Sequence, residues 1–224
     1  IFAPGVVSIG NIHSRLAISP DGREMFWNTV DMTTFATRVL SVRDLGGTWT
    51  KPEPPPFARE GSPRSPMFSP DGTRLYFRTR TEKGVATVFA ERHTSGWSAP
   101  RTDGPMLDCS SSFTRSGRVY FSSEMKTKTW SSGIFSARLG TDGYADVAPL
   151  DATINVPNAI DYTPYVSPDE SFLLFSSNRP LVGDKEDMHL FVSFRTTDGT
   201  WSTPRRVSDI PGRFPALSPD GRHL

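Results

Sequence analysis

Apolar and polar positions alternate along this chain in short runs, and the runs come back in the same order. Ser65-Pro66-Met67-Phe68 and Thr163-Pro164-Tyr165-Val166 each precede a turn, and Leu75-Tyr76-Phe77, Val119-Tyr120-Phe121 and Leu173-Leu174-Phe175 each follow one. Thr87-Val88-Phe89-Ala90 and Leu190-Phe191-Val192-Ser193 stand a variable distance further on. Runs this short, rich in β-branched and aromatic residues and bounded by turn signals, predict strands. No stretch shows the 3.6-residue periodicity of an amphipathic helix.

The punctuation repeats as well. Ser19-Pro20-Asp21-Gly22 returns as Ser69-Pro70-Asp71-Gly72, as Ser167-Pro168-Asp169-Glu170 and as Ser218-Pro219-Asp220-Gly221. Thr114-Arg115-Ser116-Gly117 is a degenerate copy in the gap, without Pro or Asp and one residue shorter. The anchors are 45 to 53 residues apart. Trp49, Trp97, Tyr144 and Trp201 follow the first four anchors by 28 to 34 residues. Three of these aromatics open similar strings, Trp49-Thr50-Lys51-Pro52, Trp97-Ser98-Ala99-Pro100 and Trp201-Ser202-Thr203-Pro204. Pro presets φ, Asp bonds the nearby backbone and Gly accepts positive φ, so each anchor is a tight turn.

Four strands per repeat of this length is the arithmetic of a β-propeller. A lone four-stranded sheet cannot bury both faces, but stacked blades can, with the recurring Phe and Trp between them. The expected fold is therefore all-β, with four-stranded antiparallel blades. The repeats run approximately over 11–57, 58–107, 108–156 and 157–210, with 211–224 beginning a fifth. Phe2-Ala3-Pro4-Gly5-Val6-Val7 resembles the Trp201–Val207 string, so 1–10 is expected to supply the outer strand of a closing blade and hide an open edge. Four whole repeats and a start imply a ring completed by residues beyond these.

Phe68-Ser69-Pro70-Asp71-Gly72 followed by Leu75-Tyr76-Phe77 resembles the TolB-like propeller repeat of bacterial envelope proteins, and Phe175-Ser176-Ser177-Asn178-Arg179 resembles its second strand and following loop. The resemblance spans essentially the whole chain. It implies a periplasmic or otherwise extracytoplasmic propeller, often six-bladed, that binds proteins or small ligands. Related propellers also sit beside serine-peptidase domains as substrate filters.

Composition narrows the partners. The 25 Lys and Arg against 24 Asp and Glu provide no field for nucleic acid or a membrane surface. No apolar run reaches the roughly 18 residues of a membrane span. The single cysteine, Cys109, excludes an internal disulfide and a cysteine-based zinc site. A monomer without a cofactor is expected.

In a four-stranded meander the anchor turns share one end with the third-to-fourth turns, and the longer loops share the other. Those loops are read as 28–35, 78–86, 122–133 and 176–188, with crossings near 54–64, 103–112, 148–162 and 209–214. Variable loops on a rigid scaffold are where binding concentrates. The candidate ligand-binding residues at this loop end are His13, Arg64, Asp108, Asp161, Arg179 and Arg213. Asp108 and Asp161 each stand six residues before an anchor, which favours a structural cap or a rim role over catalysis. Asp184-Lys185-Glu186-Asp187 offers hard oxygen ligands for a cation, but reads first as a solvated charged loop. His13, His93, His189 and His223 fall at different strand positions, which argues against a shared metal. There is no Gly-x-Ser-x-Gly elbow and no His-Glu-x-x-His. Asp44-Leu45-Gly46-Gly47-Thr48-Trp49 looks like the aspartate box of sialidases and is read as a turn. A non-catalytic binding scaffold is the leading expectation. A glycan-active hydrolase or lyase and the filter of a larger peptidase are the alternatives.

Overall fold

A computed structural model describes residues 12–30, 33–34, 37–58, 63–82, 84–102, 104, 107, 110–125, 131–140, 143–180, 188–207 and 211–224, with backbone alone at 12–14 and 58. The proposed outer strand 1–10 lies outside the described residues. The chain divides into two compact units, one of residues 1–109 with 216–224 and one of residues 110–215.

The first unit holds two antiparallel sheets. One runs β1 (Ile12–Ile18), β2 (Glu24–Val30) and β3 (Thr37–Arg43); the other runs β4 (Arg64–Phe68), β5 (Arg74–Thr81), β6 (Gly84–His93) and β7 (Gly96–Trp97). The second unit also holds two. One is β8 (Ser112–Phe113), β9 (Arg118–Glu124), β10 (Ser132–Leu139) and β11 (Tyr144–Pro149), and the other is β12 (Asp161–Val166), β13 (Phe172–Ser177), β14 (His189–Phe194) and β15 (Arg205–Arg206). Each sheet is one blade, with its strands in sequence order. The one helical element among the described residues is a 3-10 turn at Pro56–Ala58.

The outer strands are less regular than expected. In three blades the tryptophan begins only a fragment, and isolated bridges such as Ser41↔Glu53, Phe89↔Arg101 and Arg195↔Trp201 take the place of a ladder. Pro52, Pro100 and Pro204 lie in these segments, and proline has no N–H to give a neighbouring strand. The third blade, with Tyr144 in place of Trp, keeps a continuous β11 up to Pro149.

The anchors are one structure built repeatedly. The serine hydroxyl donates to the aspartate at 2.5–2.6 Å in three of them. The serine or threonine Oγ accepts the N–H of the residue that opens the next strand at 2.8–3.0 Å in four of them, and the His223 N–H at 3.0 Å in the fifth. Glycine closes the turn with φ between 69° and 82°, and Glu170 takes the same left-handed conformation at φ 59°. Gly72 is further constrained by space, because a Cβ there would lie 3.1 Å from Cδ of Pro20 in the preceding blade.

Packing between blades within each unit follows one rule. Trp97 meets Phe26 of the first blade edge-on, with centroids 6.1 Å apart, and Trp201 meets Tyr120 of the third blade at 6.1 Å. The fourth-strand tryptophan thus seals the space against the second strand of the blade before it. Each such pair adds about 0.5–1.5 kcal/mol to what its area contributes. Phe26, Val39, Leu75, Phe57 and Phe68 complete one core, and Ile134, Ile154, Leu173, Phe175 and Phe191 complete the other.

First strands share a second device. Arg15, Ser65, Thr163 and Phe214 each stand four residues before an anchor serine, and each has φ between 42° and 57°. The pairing register shifts there in β1, β4 and β12. This is a repeated β-bulge held by non-glycine residues in a disfavoured conformation. Its N–H is caught by the preceding blade, at Ser65 by Asn28 Oδ1 at 2.7 Å and at Phe214 by Thr163 Oγ1 at 3.3 Å.

Candidate binding site

At the loop end of the fourth blade, Asp161, Ser177 and His189 lie side by side across β12, β13 and β14. Asp161 is 1% exposed. One carboxylate oxygen accepts Arg179 Nη2 at 2.7 Å, and the other accepts the Val156 N–H at 3.2 Å. Arg179 also donates to the Ile154 carbonyl at 2.7 Å and through Nε to Ser177 Oγ at 3.1 Å. Its guanidinium lies over Phe175 and Phe191, at 4.8 and 4.9 Å from their centroids. Burial pushes the Asp161 carboxyl above the usual carboxylate range, against the opposing pull of Arg179 and of hydrogen bonds from Ser177 and Val156. His189 is also buried, with Arg206 Nη2 2.8 Å from Nδ1.

The crossing before this row is nailed down. Asn155 accepts the Ile134 N–H at 2.7 Å and donates to the carbonyls of Ile134 and Leu150, both at 2.9 Å. Asn178 Oδ1 accepts the Ile160 N–H at 2.7 Å. Ile154, Asn155 and Ala159 are buried. Read as a variable loop, this crossing is instead part of the frame, because its side chains bond backbone groups of the strands and turns around it.

Of the six candidate residues, the structure brings together Asp161 and Arg179. Arg64 is exposed on β4, with Arg78 directly opposite on β5. Arg213 is exposed beside Phe214, which packs on Tyr162. The backbone of His13 pairs with Thr29, and its side chain lies outside the described residues. Asp108 and the 184–187 acidic run also lie outside them. The 78–86 loop is shorter than expected, since β5 reaches Thr81 and β6 starts at Gly84. Among the described residues no group of three His, Cys, Asp or Glu side chains is placed to hold a metal ion.

Sequence reasoning passed over a second buried acid, at the anchor end of the first unit. Glu24 accepts Arg43 Nε at 2.9 Å, Arg92 Nη2 at 2.7 Å and Trp97 Nε1 at 3.3 Å. Arg92 also lies over the Trp97 ring at 4.9 Å, as Arg195 lies over Trp201 at 4.8 Å. The legible signal was an arginine five or six residues before each of Trp49, Trp97 and Trp201. Its acidic partner, 68 residues earlier in the chain, had none.

No family model matches the chain, and no curated protein matches it. Among solved structures it is similar to the putative TolB of Agrobacterium tumefaciens, with 20% identity over 94% of this chain and 68% of that one, at a TM-score of 0.56. It is similar to TolB of Acinetobacter baumannii with 15% identity over 95% of this chain and 47% of that one, at 0.55. The fold is that of a TolB-like β-propeller. The propeller fold also relates the chain to a thermostable family-43 glycoside hydrolase, at 11% identity, 97% and 84% coverage and a TM-score of 0.51. At these identities the likeness is one of fold. No helix among the described residues is long and apolar enough to cross a membrane.

Proposed function

We propose that this propeller is a non-catalytic scaffold of the bacterial cell envelope that binds a protein or small ligand at its loop end. One observation carries the reading: both buried carboxylates among the described residues, Glu24 and Asp161, are engaged by arginines of their own chain. A glycosidase needs two carboxyls facing one substrate, one of them free to take or give a proton. Asp161 instead ties the crossing at Val156 to Arg179 and Ser177, and Glu24 ties two blades together. The anchor aspartates serve their own turns. The envelope location rests on the resemblance of the Ser-Pro-Asp-Gly repeat and on the shared fold.

The test blocks one end at a time. With Cys109 replaced by Ser, a bulky maleimide is attached at Arg80→Cys on the loop end or at Leu45→Cys on the anchor end; both native side chains are exposed. Partners cross-linked in envelope extract are then compared. Capture should fail with the loop end blocked and survive with the anchor end blocked. Turnover of a glycan or peptide substrate that Asp161→Asn abolishes in a folded protein would overturn the reading.

A further inference from the structure

Comparing the blades position by position isolates one side chain that does not fit the repeat. Asn28, Arg78, Ser122 and Ser176 occupy the same place near the end of each second strand, one residue beyond Trp27, Phe77, Phe121 and Phe175. In three blades this residue is small or neutral and answers a first-strand bulge or its equivalent. Asn28 accepts the Ser65 N–H, Ser122 Oγ lies 2.6 Å from Ser110 Oγ, and Ser176 Oγ lies 3.0 Å from Thr163 Oγ1. In the second blade the place is taken by a cation. Arg78 Nε is buried without a hydrogen-bond partner, and among the described residues Arg78 has no ion pair.

The residue directly across from Arg78 is Arg64, a second cation without an ion pair among the described residues. Like charges facing each other across a strand pair are unfavourable. Arg15 of the first blade reaches the same strand, its Nε donating to the Pro66 carbonyl at 3.4 Å. Three guanidinium-bearing residues are thus assembled around the Ser65 bulge, whose own N–H Asn28 already satisfies. A planar fork with several donors is matched by an oxyanion.

We propose that Arg64 and Arg78, with Arg15 from the neighbouring blade, form an anion-binding site at the loop end of the second blade, for a ligand carrying a carboxylate or phosphate group. The proposal rests on the scaffold reading for its place at the binding end, and it adds the chemistry of the ligand. An anion seated between the arginines removes their repulsion and supplies the acceptor that Arg78 Nε lacks.

Isothermal titration at low ionic strength, with inorganic phosphate in one arm and glutarate in the other, tests it. Saturable binding of at least one anion is expected in the parent protein, weakened about tenfold or more in Arg78→Ser and in Arg64→Gln, since a charge-assisted hydrogen bond is worth more than a neutral one. Arg78→Ser places the residue of two other blades in this position, so its urea midpoint should match or exceed the parent's. Binding of phosphate alone identifies a tetrahedral ligand group, and binding of glutarate alone a carboxylate. Absence of saturable binding for both anions, or equal binding by Arg78→Ser, overturns the site. If the blocked loop end still abolishes partner capture in that case, the scaffold reading stands without it; if the anions bind while capture ignores the loop end, the scaffold reading falls and the site remains.

Discussion

Replacing Arg179 by Met should destabilise the protein by about 3–5 kcal/mol at neutral pH, the usual cost of leaving one member of a buried ion pair alone. The cation is 10% exposed and its Asp161 partner 1%, so little water is at hand to take over. Met has an unbranched, adaptable side chain that can still lie between Phe175 and Phe191. What it cannot replace are the bonds to Asp161 and to the Ile154 carbonyl. For a chain of this size the loss lowers Tm by about 6–20 °C. Urea unfolding followed by tryptophan fluorescence measures it. The pH dependence is the sharper readout. Desolvation already raises the Asp161 pKa above its unfolded value while Arg179 opposes the rise. Without Arg179 the folded pKa climbs further. A group with a raised folded pKa contributes stability that is present below the unfolded value and lost as pH rises through the folded one. The Arg179→Met penalty should therefore be smallest near pH 4 and grow toward neutrality. Adding Asp161→Asn to Arg179→Met should recover most of the loss and flatten the profile, because no buried charge is left. A penalty under about 1 kcal/mol, or one that does not change with pH, would refute the account of Arg179 as the counter-charge of a buried carboxylate.

Glu170 spends about 1 kcal/mol or more on left-handed backbone that glycine would adopt freely, yet it accepts the Tyr120 hydroxyl at 2.8 Å. Glu170→Gly alone should leave stability unchanged or lower it by up to about 2 kcal/mol, and Tyr120→Phe with Glu170→Gly should be at least as stable as Tyr120→Phe alone; urea midpoints decide. Gly72→Ala combines positive φ with a 3.1 Å approach to Pro20, so a loss of about 1–3 kcal/mol in the same assay is expected, against a small effect for alanine at exposed Ser95. The anchor hydrogen bonds hold Asp21, Asp71 and Asp220 below the usual range and bring Asp169 to about 2, and bonds from Thr196 and Thr200 do the same for Asp198 in the turn before Trp201. Groups with lowered folded pKa contribute stability above about pH 4 that is lost on acidification toward pH 2. Thermal scans should show Tm falling through that window, and less steeply in Asp169→Asn.

The repeat, its four-stranded unit and the anchor turn were determined by local chemistry alone. Serine, proline, aspartate and glycine act within six residues of each other, so their meaning survives without the rest of the chain. The same locality hides the effect of the fourth-strand prolines, because a missing N–H matters only against a neighbour strand already in place. The pairing of Asp161 with Arg179 was half legible. Both residues stood out by position, but that they neutralise each other depends on a crossing held by Asn155 and Asn178 and on two phenylalanines that box the guanidinium. Glu24 and Arg92, and Arg15 and the Ser65 bulge, come from different blades. Nothing in the sequence announces that Glu24 and Arg92, 68 positions apart, or Arg15 and the Ser65 bulge, 50 positions apart, meet. Such contacts are set by how one sheet stacks on the next, and burial then decides which charges must be paired and which, like Arg78, have no ion pair among the described residues.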